Sequence, residues 1–148
     1  MRISDILRVK GDEVVTVAPD ADVSALLAVL AEHRIGAVVV SADGRRVDGI
    51  ASERDVVRAI ALRGAAVLTE PVTAIHTAQV RSVARDALVE DVERLMTERR
   101  FRHVPVVEDG VLHGVVSIGD VVKFRIDELE SERRSLAGYI TGERAYPA

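Results

Sequence analysis

The chain repeats itself, and this internal repeat constrains its fold more than any other feature of its 148 residues. The stretch VVTVAPDADVSALLAVLAEHRIGAVVV, starting at Val14, runs parallel to QVRSVARDALVEDVERLMTERRFRHVPVV, starting at Gln79. Val17 matches Val83, Val23 matches Val89, Leu26 matches Val92, Leu30 matches Met96 and Gly44 matches Gly110, each 66 residues apart. One residue is lost in the turn that follows, so Gly49, Ile50, Ser52 and Asp55 match Gly114, Val115, Ser117 and Asp120 at a spacing of 65. Upstream, ISDIL at residues 3 to 7 has a counterpart in VTAIH at 72 to 76. The fold must be made from one small unit used twice.

Each unit reads in the same order. A β-branched piece (Val14 to Val17; Val80 to Val83) predicts a short strand. Val23, Leu26, Leu27 and Leu30 then fall on one helical stripe, as do Val89, Val92, Leu95 and Met96. The apolar runs AVVV at 37 to 40 and VPVV at 104 to 107 predict buried strands. Asp43-Gly44 and Asp109-Gly110 supply turn residues. The returning strands are VDGIAS and LHGVVS, and a second helix starts near Arg54-Asp55 and again near Gly119-Asp120. The expected fold class is therefore α+β, with small mixed sheets of α/β type. Two pseudo-twofold-related β-α-β-β-α units pack through their sheets and carry a C-terminal helical extension. The division is residues 3 to 64, residues 65 to 127 including a linker that holds Pro71, and an extension over 128 to 148.

Composition narrows the function. With 20 basic and 24 acidic side chains the net charge is −4, which argues against a dedicated nucleic-acid or membrane-surface binder. Two Phe, two Tyr and no Trp leave few rings for stacking single-stranded bases. The absence of cysteine removes thiolate nucleophiles, disulfides and cysteine-held metals. No apolar run approaches the ~20 residues that span a bilayer, and the start MRISDILRVKGDE is too charged for a signal peptide. A cytoplasmic chain is the expectation. The four histidines show no metal-ligand spacing, and no P-loop or GxGxxG occurs.

The pattern G-h-h-S-x-x-D, present as GIASERD at 49 to 55 and GVVSIGD at 114 to 120, resembles the signature of the cystathionine-β-synthase (CBS) domain. RHVPVVEDGVLHGVVSIGDVV at 102 to 122 is similar to the same family. The resemblance covers about residues 3 to 127 in both units and implies a tandem CBS pair, or Bateman module, like stand-alone bacterial CBS-pair proteins. Such pairs hold adenosine-containing ligands (AMP, ADP, ATP, S-adenosylmethionine or NADH) between the repeats and regulate a partner protein. AMP or ATP is the leading expectation, with no catalytic cofactor.

The residues themselves suit such a ligand. Asp55 and Asp120 each stand three positions after a strand-ending serine, where a carboxylate can accept from a ribose diol. The same position also serves simply to cap a helix. Ser52, Ser117, Gly119 and the first helix amides face a space suited to phosphate, beside Ile50 and Val115. Arg102 and His103 are cations which, by family position, face the phosphates, whereas their counterparts Gly36 and Ala37 are small. Arg54 has no basic equivalent in the second unit. By resemblance, Thr16, Val17, Ser82 and Val83 offer backbone edges to adenine.

Two other readings stand beside this one. The motif aspartates could be caps on a ligand-free scaffold, or Ser117, His103 and Asp120 could form a hydrolytic triad, although no G-x-S-x-G elbow accompanies them. The last helix is expected to run from Val121 to about Gly138 or Tyr139. Along it Val122, Ile126, Leu129, Leu136 and Ile140 form a seam that either packs onto its own module or, as the favoured expectation, makes a homodimer contact, and Glu130 and Arg134 form an exposed pair. The closing GERAYPA is expected to fray.

Overall fold

The computed structural model describes residues 1–11 and 13–140, so the GERAYPA expectation falls outside the described residues. Five helices and five strands follow in order: α1 (Ile3–Lys10), β1 (Thr16–Val17), α2 (Val23–His33), β2 (Ala37–Val40), β3 (Gly49–Ser52), α3 (Glu53–Arg63), α4 (Val89–Arg99), β4 (His103–Glu108), β5 (Val111–Ser117) and α5 (Ile118–Ile140). Two 3₁₀ turns, Ala65–Thr69 and Val72–Ala74, occupy the linker.

The first sheet has the order β1-β2-β3, with β1 parallel and β3 antiparallel to β2. The second is the β4-β5 hairpin, with Val83 joining Val106 in a single parallel bridge. The expected strand over Val80 to Val83 therefore shrinks to one residue. The chain just before it is drawn to the other repeat, where Thr77 and Ile50 exchange both main-chain hydrogen bonds (2.9 and 3.0 Å). At Asp109-Gly110 both residues take positive φ (53° and 75°), as a tight hairpin turn requires.

The helices bury the expected stripes. Asp22 caps α2 by accepting from the Ala25 amide at 2.7 Å, and Val23, Leu26 and Leu30 reach the core. Val89, Val92 and Met96 do the same from α4. Two cores result, and each is completed crosswise. Ile3, Ile6 and Leu7 of α1 join Val89, Val92, Met96, Val104 and Val116 in the second core. Val72 of the linker joins Val17, Leu26, Val38 and Ala51 in the first. Every element of the repeat supplies an apolar face, but the segment that opens each repeat closes the other one's core.

Helix α5 runs well beyond the core, and Val121 is its only buried residue. The seam residues stand exposed, from 50% at Val122 and Ile126 to 82% at Ile140. The expected Glu130–Arg134 pair is not formed among the described residues, since two exposed side chains gain little from one fixed geometry. Ion pairing gathers instead at Arg125, which reaches Glu90, Glu93 and Glu128 (3.6, 3.2 and 3.4 Å).

Candidate functional site

Each hairpin ends in a serine that starts a helix. The Ser52 hydroxyl accepts from the Asp55 amide (3.2 Å), and the Asp55 carboxylate accepts from the Ser52 amide (2.8 Å) and hydroxyl (3.0 Å) through Oδ2. Ser117 and Asp120 repeat this reciprocal cap at 3.1 and 2.9 Å. In both cases Oδ1 accepts no hydrogen bond among the described residues. The motif aspartates thus cap their helices while keeping one oxygen for another donor. The strand starts are tied in as well: the Glu53 amide donates to Gly36 O (3.0 Å) and the Ile118 amide to Arg102 O (2.8 Å).

The glycine that opens each motif has a steric reason. A Cβ on Gly49 would fall 2.5 Å from His76 Nδ1 and 2.8 Å from the Thr77 carbonyl. A Cβ on Gly114 would fall 2.9 Å from Leu7 Cδ2. His76 and Leu7 hold matching places in the duplication, so in each repeat the opening segment of the other unit lies flat on the motif strand.

Between the repeats lies a cavity of about 830 Å³, within the range of small-molecule sites. Its first-repeat wall holds Gly36, Ala37, Ile50, Ser52, Arg54 and Asp55; Arg102 and His103 come from the second repeat. The remaining expected residues lie outside this lining. Val83 spends its amide on Pro105 O (3.0 Å) and its carbonyl on the Val107 amide (2.9 Å). Thr16 and Val17 are paired with β2, and Ser82 stands beside Val83, away from the cavity wall. The strip just before lines the cavity instead, with Thr77, Gln79, Val80 and Arg81.

Sequence reasoning also missed Arg58, Arg100 and Phe101 in this wall. Arg58 lies one helical turn after Arg54 and Asp55, and RRFRH at 99 to 103 is a visible basic cluster, so both carried a signal. Arg81 carried none. Five arginines (Arg54, Arg58, Arg81, Arg100 and Arg102) and two acidic residues, Glu53 and Asp55, line the cavity. None of the five is hydrogen-bonded or in an ion pair among the described residues. A smaller groove of about 430 Å³ adjoins at Gly36 and Glu53, lined by α2 residues such as Leu27 and Leu30.

The second motif is furnished differently. Val115, Ser117, Gly119 and Asp120 do not line the cavity, and the Lys10 ammonium sits on Asp120 Oδ2 and on the Val115 carbonyl, both at 2.7 Å. Burial raises the Asp120 pKa, but the Lys10 ammonium and the Ser117 amide outweigh it and hold the carboxyl below its ordinary value. His103 stands between the two regions, with its ring 3.7 Å from where a Gly36 Cβ would lie. Burial, followed by the nearby Lys10 charge, pushes its imidazole below the ordinary histidine value; Asp120 and Glu53 oppose this. His103 and Ser117 are register partners across β4 and β5. Yet Ser117 Oγ is engaged in the helix cap, and no hydrogen bond joins His103 to it among the described residues. The contact a serine nucleophile needs from its base is not made.

Comparison with known proteins agrees with this architecture. The sequence matches the CBS domain over residues 3–62 and again over 72–127. A mitochondrial CBS domain-containing protein of Arabidopsis thaliana is 33% identical over 148 residues, spanning 95% of this chain and 72% of that protein. The crystal structure of a CBS-domain containing protein from Agrobacterium tumefaciens superposes with a TM-score of 0.80 at 46% identity, covering 84% of this chain and 99% of that one. A CBS domain protein from Pyrobaculum aerophilum, solved in complex with AMP, gives a TM-score of 0.72 at 31% identity, covering 81% of this chain and 89% of that one.

Proposed function

The chain belongs to the CBS domain family, as a tandem pair, and from that premise we propose that it is a non-catalytic regulatory module that binds an adenosine nucleotide between its repeats. The observation that carries this is the set of five unpaired arginines that line one cavity together with Asp55. A ribose diol donates to Asp55, phosphates meet the guanidinium forks, and the Phe101 ring offers an apolar face to a base. This wall favours AMP or ATP over S-adenosylmethionine, whose cationic centre would be repelled. The AMP complex of the Pyrobaculum relative supports the same ligand class. Regulation requires that the nucleotide favour one arrangement of the repeats over another, read by a target protein in the cytoplasm. The exposed seam of α5 serves as a homodimer face.

Calorimetric titration with AMP, ATP, S-adenosylmethionine and NADH tests this reading. One of the two nucleotides binds most tightly, and Asp55→Ala weakens it about tenfold or more, the loss of a charge-assisted hydrogen bond. If none of the four binds, the second reading prevails. That reading, a structural or dimerisation scaffold, draws support from the finding that Asp55 and Asp120 already work as helix caps.

A further inference from the structure

We infer that Lys10 fills the second motif cleft from within, so that each chain takes one nucleotide, at the Asp55 cleft; the inference rests on the nucleotide reading above. The duplication provides the comparison. Ile50 and Val115 occupy the same place in the two repeats. The Ile50 carbonyl accepts from a main-chain amide, that of Thr77 (2.9 Å). The Val115 carbonyl accepts from a side chain, the Lys10 ammonium (2.7 Å), which also takes Asp120 Oδ2. In the first cleft backbone does this work and the motif carboxylate is left without a cation. In the second a cation does it and takes the carboxylate too.

The difference arises from the opening segments. The linker counterpart of α1 is only the 3₁₀ turn Val72–Ala74, after which the chain runs out along Ile50. Helix α1 continues to Lys10, and Ile3, Ile6 and Leu7 fix it in the second core. Gly11, at φ 102°, closes the helix by donating to the Leu7 carbonyl (2.9 Å). Lys10 is therefore presented at high effective concentration. Asp120 Oδ1 stays open, but a ribose diol that spans both carboxylate oxygens must displace the Lys10 ammonium from Oδ2.

The remaining cations follow the same asymmetry. Arg54, Arg81 and Arg102 of the first cleft correspond in the duplication to the uncharged Gly119, Val15 and Gly36, whereas Arg58 and Arg100 have cationic counterparts in Lys123 and Arg34. The second cleft has lost most of the charge that would hold a phosphate, and its own ammonium is spent on Asp120.

Calorimetric titration of the full chain with AMP, and separately with ATP, counts the sites. The wild type takes one nucleotide per chain, and Lys10→Ala and Lys10→Met, the second keeping the length of the stem, take two. The added site disappears in Lys10→Ala/Asp120→Ala and persists in Lys10→Ala/Asp55→Ala. With Lys10 intact, Asp120→Ala leaves stoichiometry and affinity within twofold. Two sites in the wild type, no gained site in folded Lys10 variants, or a tenfold loss in Asp120→Ala alone would each overturn the inference. A wild type that binds nothing while Lys10→Ala gains one site would sink the nucleotide reading of the first cleft, and with it the single site, and leave only the blocking role of Lys10.

Discussion

At Asp55 the carboxylate that holds a helix start is also the group offered to a ribose, so its substitution has two readouts that Ser52 can separate. Ser52→Ala removes the cap acceptor and is expected to cost about 1 kcal/mol in a urea titration, with nucleotide affinity changed far less than in Asp55→Ala. Equal losses of affinity in the two variants would mean that the carboxylate acts only through the cap. His103 sets a pH dependence. Its folded-state pKa is depressed, first by burial and then by Lys10, so the unfolded chain takes up the proton more readily. Its contribution to stability is complete above the ordinary histidine value of about 6.5 and is lost as pH falls below it. Asp120, also depressed, adds a loss that begins only below the ordinary carboxylate value of about 3.9. Urea midpoints should fall between about pH 7 and 5 in the wild type, and the fall should flatten in His103→Gln. An unchanged slope would show that His103 is not the group responsible.

Among the elements, the crossing of an opening segment over a motif strand makes a prediction that differs between the repeats. At Gly49 a methyl would strike the Thr77 carbonyl and the His76 ring, whereas at Gly114 it meets only the flexible end of Leu7. Gly49→Ala is expected to destabilise by about 2–3 kcal/mol and Gly114→Ala by about 1, measured by chemical denaturation; the reverse order would mean that the first strip moves more freely than the second. These crossings also mark where the sequence stopped being legible. The AVVV and VPVV runs, the helical stripes and the paired GxxSxxD motifs could be read because each is local and each occurs twice. Asp55 was singled out that way, and Arg54, Arg102 and His103 by their place beside the repeated segments; all four line the cavity. The contribution of Arg81 could not be read, since its place depends on Thr77 pairing with Ile50, far off in sequence. Nor could that of Lys10, which meets Asp120 across 110 residues with no motif to announce it. The adenine edge was expected at Thr16, Val17, Ser82 and Val83 by family resemblance alone; the ladder pairing of Thr16 and Val17 with β2 and the main-chain hydrogen bonds of Val83 commit those edges elsewhere.

For the molecule as a whole, α5 and α1 have opposite consequences. The exposed seam of Ile126, Leu129 and Leu136 is the proposed contact with a second copy, and Ile126→Glu/Leu129→Glu should shift sedimentation from dimer to monomer without altering nucleotide affinity in the cleft. A wild type that is monomeric at micromolar concentration would remove that role. Helix α1 works inward. Leu7→Ala should cost about 2–5 kcal/mol and loosen β5 and α5, seen as faster amide exchange in the second repeat although the change lies at the chain's start. The same helix sets an order of events during synthesis. Ile3, Ile6 and Leu7 leave the ribosome long before their partners from Val89 to Val121. At ~5–20 residues per second this apolar face waits on the order of ten seconds, and the second core cannot close on a nascent chain that is still short. A helix made well before its partners is thus the final piece of that core to be seated, so the second core closes only after Val121 has been made.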